Sequence, residues 1–313
     1  LNAASRCYIG VTDREWFHFL ESRAPLEEVN FWQPSGGGGV FRALEPGHPF
    51  LFKLRYPENC IVGGGFFGHY TKLPVSLAWD TFGEMNGAPT LAAMRANIER
   101  LRDRPTSPHE DYEVGCIILV DPFFLPQRDW IPAPTDWSPN IVQGKTYDLT
   151  TSPGRELWDQ VAAAAFTGRR GMVAEPVPGP MFGAPTLFRP RLGQGSFRLS
   201  VTDAYDRHCA ISGEKTLPVL QAAHIRPVSA GGQHRVSNGI LLRSDIHTLF
   251  DRGYVTVLPG SLEFRVSQRL KHDWSNGRIY YELAGRPIST PQHPTLAPDS
   301  EALEWHADTV FKG

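Results

Sequence analysis

Residues 209–253 read CAISGEKTLPVLQAAHIRPVSAGGQHRVSNGILLRSDIHTLFDRG, a stretch that sets out His224, Asn238 and His247 in that order, with Asp251 four residues after His247. The segment LPVLQAAHIRPVSAGG (217–232) is apolar up to His224 and then breaks at Ser-Ala-Gly-Gly, which predicts a strand running into a loop. A histidine at a strand end can take a proton from water, because its reference pKa lies near neutrality. Asn238 opens an Asn-Gly pair, ordinarily a turn, and its side-chain amide can hold the neighbouring backbone. His247 and Asp251 are i and i+4 on a predicted helix, so they point the same way and can share one divalent cation. Taken singly, each has an ordinary explanation: a core histidine, a turn, a surface His–Asp pair. It is their order and spacing together that point to chemistry.

Charge in and around this stretch agrees with a polyanionic partner. Residues 186–282 hold 13 Lys and Arg against 8 Asp and Glu, a net of +5, while the rest of the chain holds 18 against 25, a net of −7. The overall charge of −2 conceals this asymmetry. Arg189, Arg191 and Arg198 precede the stretch, and Arg226, Arg243 and Arg252 lie within it. They are the candidate phosphate contacts.

The combination resembles the HNH nuclease family, in the branch written AAHIxPxxxGGxHxxxNGxLLRxDxHxLFDxG. The likeness runs over roughly residues 189–282, including RPRLGQGSFR. It implies a ββα-metal unit, a β-hairpin followed by a helix, gripping one metal against the scissile phosphate of double-stranded DNA. By position it implies that His224 is the general base, that Asn238 orients the loop and that His247 is a metal ligand. The products would carry 5′ phosphates. Many relatives have Asp or His just before the general base as a further ligand, whereas here that residue is Ala223. Asp251 is the candidate to replace it, and Asp245, two residues from His247, is a poorer one. Mg²⁺ or Mn²⁺ is the expected metal, although a His/Asp site also accepts Ni²⁺, Co²⁺ or Zn²⁺. Cys209 and Ser212 stand where other members begin a Cys-x-x-Cys pair, and no second pair follows.

The first half reads differently. Apolar runs at 49–54 (PFLFKL), 60–67 (CIVGGGFF) and 112–120 (YEVGCIILV), bounded by Gly and Pro, predict strands. Leu91, Met94, Ile98 and Leu101 share one face of a predicted helix at 88–103. Ser152-Pro153 reads as a helix start before GRELWDQVAAAAF, and 167–185 reads as a Gly/Pro-rich linker. NFWQPSGGGGVFRALEPGHPFLFKL (30–54) with NCIVGGGFF (59–67) resembles the PUA-like family, in particular its EVE, ASCH and SRA-type relatives. That likeness covers about residues 8–125 and implies a β-barrel that reads modified bases, some by flipping the base into an aromatic cage. Flipping needs aromatic faces for stacking and polar groups along the base edge. Phe31, Trp32, Phe66, Phe67, Tyr70 and Trp79 are the candidate faces, and Asn30, Asn59 and Asp80 the candidate edge readers. Trp32, beside the glycine run 36–39, is expected at a mobile rim.

The expected fold is therefore α+β: a PUA-like β-barrel (1–150), a helix and linker (151–185), and a ββα-metal nuclease domain with a C-terminal tail (186–313). The expected function is modification-dependent DNA cleavage of the type IV-like restriction kind. A homodimer would serve if two strands are to be cut. Two rival readings stay open, a nickase or homing or phage-type nuclease acting on unmodified nucleic acid, and a non-catalytic DNA-binding protein. No apolar run approaches the length of a membrane span. The opening residues lack a basic start followed by an apolar core, and four scattered cysteines argue against a disulfide framework or a zinc ribbon, so a cytoplasmic protein is expected.

Overall fold

A computed structural model describes residues 5–34, 40–102, 106–107, 109–166 and 193–313. The glycine run, the linker, Arg189 and Arg191 lie outside the described residues. The chain divides into two compact units, 1–191 and 192–313.

The first unit contains β1 (Arg6–Thr12), α1 (Arg14–Glu21), β2 (Glu28–Gln33), β3 (Pro49–Leu54), β4 (Cys60–Pro74), α2 (Val75–Phe82), α3 (Leu91–Glu99), β5 (Glu113–Phe124), β6 (Ile131–Pro132), β7 (Gly144–Asp148) and α4 (Gly154–Phe166). The strands form one seven-stranded sheet in the order β2-β5-β4-β3-β1-β7, with β6 on β4. Every residue of β3 is buried. Phe50 and Phe52 enter a cluster with Trp16 and Phe17 of α1, while Leu51 enters another with Leu157 and Val161 of α4. A strand covered on both faces reads as an unbroken apolar run, which is why PFLFKL shows no alternation. The Gly63-Gly64-Gly65 run lets β4 pass close to its neighbours, since a Cβ on Gly63 would overlap the carbonyl of Phe123.

The expected barrel is corrected: among the described residues no pairing joins β2 to β7, and the sheet stays open. Aromatic side chains of its strands and of α1 pack together without backbone pairing to close the sheet. Phe31 of β2 meets Phe50 of β3 at 4.8 Å and Trp16 of α1 at 5.3 Å between ring centroids.

The second unit contains α5 (Gln194–Ala204), β8 (Leu220–His224), β9 (Gly239–Arg243), α6 (Ser244–Asp251), β10 (Val255–Val257), β11 (Phe264–Val266), α7 (Arg269–Trp274), α8 (Arg278–Tyr281) and α9 (Ser300–Thr309). β8 and β9 pair antiparallel, with Ala223 opposite Ile240 and His224 opposite Gly239. The hairpin leads directly into α6, so the unit contains a ββα element. Its core gathers Phe197, Ala223, Ile240, Ile246, Phe250 and Leu303. The tail packs onto this unit. His306 of α9 is 2% exposed, stacks on Phe250 at 3.7 Å, and has hydrogen-bonding contacts with the Thr256 hydroxyl and the Phe250 carbonyl. The Lys312 amide donates to the Gly253 carbonyl. Among the described residues no helix is long and apolar enough to cross a membrane.

Candidate functional site

His224 ends β8 with its ring stacked on Phe197 of α5, 3.9 Å away and inclined by 13°. Its Nε2 lies 3.0 Å from Nδ1 of His234. Burial, with His234 and His247 nearby, lowers its pKa to about 4, so the ring is neutral at physiological pH.

Asn238 closes the loop between β8 and β9. Its Oδ1 accepts from the Arg226 amide at 3.0 Å, and its Nδ2 donates to the carbonyls of Arg226 and Gln233, both at 2.9 Å. Gly231 has φ +87°, and a Cβ on Gly232 would overlap the Arg226 carbonyl. The Gly-Gly pair therefore has a steric reason to be there.

His247 and Asp251 share one face of α6, with Nε2 and Oδ2 3.3 Å apart. Nδ1 of His247 faces Oε1 of Gln221 at 2.8 Å. The Gln221 carbonyl can only accept, so Nδ1 carries the proton and Nε2 presents a lone pair to the carboxylate. Burial lowers the His247 pKa and raises that of Asp251. Two electron-pair donors facing each other at this distance suit a shared cation, and the pair fits a divalent metal on that ground. Among the described residues no group of three or more His, Cys, Asp or Glu side chains is placed to hold a metal. Protein donors would thus supply part of the coordination, with water or phosphate oxygen supplying the rest.

Ala223 is fully buried in the core. Strand alternation puts it on the same face of β8 as Gln221, the face that meets His247. Asp245 is otherwise engaged. It accepts from Arg243 at 2.6 and 2.7 Å and from the Tyr280 hydroxyl at 3.1 Å, and the Arg243 guanidinium holds its pKa down. The same pairing ties up the charge of Arg243. Arg226 is exposed, donates to the Ala230 carbonyl and lies 5.4 Å from the Trp305 ring centroid. Arg198 is half-buried on α5, and Arg252 is exposed. Cys209 is buried, with its sulfur near the amides of Ser212 and Arg243.

The first unit has a cavity of about 1300 Å³, open on one side. Phe31 and Trp32 line it, and Trp32 Nε1 donates to the Asn86 carbonyl at 2.9 Å. Asn59 is also in the lining, whereas Phe66, Phe67, Tyr70, Trp79, Asp80 and Asn30 are not. Trp79 and Asp80 ride on α2, Phe67 is in the core, and Asn30 is fully buried beside Asn86. Strand alternation alone did not tell which aromatics would converge. Tyr8, Trp16, Phe41, Lys53 and Trp137 complete the walls and were not anticipated. For Lys53 a signal existed, a lysine set inside an otherwise apolar strand.

Comparison with known proteins bears on the second unit. Residues 209–258 match the family model described as HNH endonuclease. No curated protein matches the chain. Among solved structures the chain is similar to ASCH from Zymomonas mobilis, at 8% identity over 51% of this chain and 95% of that one with a TM-score of 0.33. A point mutant of that protein gives 8%, 49%, 96% and 0.34. The modification-dependent TagI restriction endonuclease is similar at 15% identity over 86% of this chain, with a TM-score of 0.27, and the match spans 64% of its length.

Proposed function

We propose that this chain is a metal-dependent DNA endonuclease of the modification-dependent restriction type, with a base-reading first unit and a cutting second unit. The observation that carries the cutting role is the convergence of His224, Asn238, His247 and Asp251 on one ββα element inside a stretch that matches HNH endonucleases. In the tautomer in which His224 Nε2–H donates to His234, the His224 Nδ1 lone pair is left to take a proton from water. The water then attacks phosphorus, and the contact with His234 orients the His224 ring. Asn238 fixes the loop that follows the base. A divalent ion held by His247 and Asp251, Mg²⁺ or Mn²⁺ by preference, would supply charge stabilisation for the phosphate and the leaving oxygen. Arg226, exposed on the loop, is a better phosphate contact than Arg243, whose guanidinium is paired with Asp245.

The reading role is supported by the aromatic cavity, where Trp32, Phe31 and Trp137 offer faces to an extruded base. Modified cytosine is the proposed target. Digestion of matched plain and cytosine-modified plasmids with Mg²⁺ or Mn²⁺ tests both roles. Wild type should cut only modified DNA, and His224→Ala should lose about 10²–10⁴-fold in rate while still binding. Equal cutting of plain DNA would remove the reading role, and full activity of His224→Ala would remove the assigned base.

A further inference from the structure

We propose that Lys53 receives an anionic oxygen group of the nucleotide entering the first unit's cavity, so that the cavity selects its ligand by negative charge. This rests on the cavity being the base-reading pocket. Lys53 is 3% exposed yet sits in the cavity wall. A register shift falls between Phe52 and Lys53, and such bulges re-aim side chains beside sites. Its ammonium has three donors. One reaches the Leu54 carbonyl at 3.0 Å, and the charge lies 4.9 Å from the Trp137 ring centroid. Among the described residues no carboxylate pairs with it. Its charged-group neighbour is Cys60, whose thiol is pushed up by burial and so stays neutral.

A buried ammonium is ordinarily paired, since desolvating it without a counter-ion is unfavourable. Elsewhere in the same wall a donor is unmet: Nε of Arg102 is buried with no hydrogen-bond partner among the described residues. Arg42 and Arg55 add positive charge to the lining, against Asp13. The Asp13 carboxylate is already engaged, accepting from the Trp16 amide as the cap of α1. The charged side chains of the lining are thus mainly cationic, although the chain outside residues 186–282 is net acidic. Two sources could supply the anion: an acidic substituent on the base, or the phosphate of the extruded nucleotide.

The test is fluorescence-anisotropy binding of the full chain, in EDTA to prevent cleavage. The probes are duplexes of one sequence with a single cytosine, 5-methylcytosine, 5-hydroxymethylcytosine or 5-carboxylcytosine. Wild type, Lys53→Met, Lys53→Gln and Trp32→Ala are compared, with melting curves to verify folding. A preference of about tenfold or more for the carboxyl duplex over the methyl duplex, abolished in both Lys53 variants, supports an acidic substituent. An equal loss of about tenfold on every modified duplex supports the phosphate. Unchanged affinities in a folded Lys53 variant overturn the proposal while Trp32→Ala still weakens binding. If wild type does not separate modified from plain duplexes and Trp32→Ala changes nothing, it is the base-reading role itself that fails. The wild-type carboxyl-to-methyl ratio excludes the substituent source without any variant.

Discussion

Phe197 and His234 together strip His224 of water and set a second imidazole against it, so the ring stays unprotonated down to about pH 4. Because the pKa is lowered, the neutral base is present above that value and is lost only as pH falls through it. With metal saturating, single-turnover cleavage should therefore hold its rate from pH 8 to 5.5, whereas an ordinary histidine base would fade below about 6.5. Phe197→Ala should move the acid limb upward, toward that ordinary value. Gln221 offers a separate test. Its carbonyl fixes the proton of His247 on Nδ1, so Gln221→Ala should weaken metal binding by about 10–100-fold in calorimetry. His224, Asn238 and His247 stood out in the sequence because their spacing repeats a known pattern. Gln221 did not, because its role arises only when β8 and α6 pack together.

On the scale of the element, Asn238 ties together the backbone of the loop between β8 and β9. Asn238 is 7% exposed and serves three backbone partners. Asn238→Ala leaves those groups unmet and should lower stability by about 2–4 kcal/mol in denaturant unfolding, with activity lost beyond the unfolded fraction. The strand PFLFKL and the ββα hairpin were legible because apolar runs and breaks are local signals. The open sheet was not, since closure depends on whether the edge strands β2 and β7 meet, and here they do not pair. Half-reading the cavity has the same origin. Trp32 was marked by a neighbouring loop, but Tyr8, Trp16 and Trp137 come from segments far apart in sequence.

Over the molecule as a whole, each unit has its own core, so residues 193–313 alone should fold and nick plain DNA with metal, while residues 1–166 should bind modified duplexes without cutting. Gel assays on the two fragments check this, and preference for modified DNA in the isolated nuclease fragment would contradict it. Acid should weaken the second unit. His306 is neutral when folded, its pKa lowered by burial to about 4, and its unfolded form takes up a proton near 6.5. Stability therefore falls as pH drops below about 6.5, by roughly 3 kcal/mol from His306 at pH 4, measurable as a falling denaturation midpoint. The placement of His306 against Phe250 and Thr256 has a consequence for biosynthesis as well. The helix that carries His247 and Asp251 leaves the ribosome well before the segment that braces it from behind. While α9 is still being made, the nascent chain already has a finished first unit and an unbraced cutting element. On the proposed function, the reading unit would thus be complete before the cutting unit.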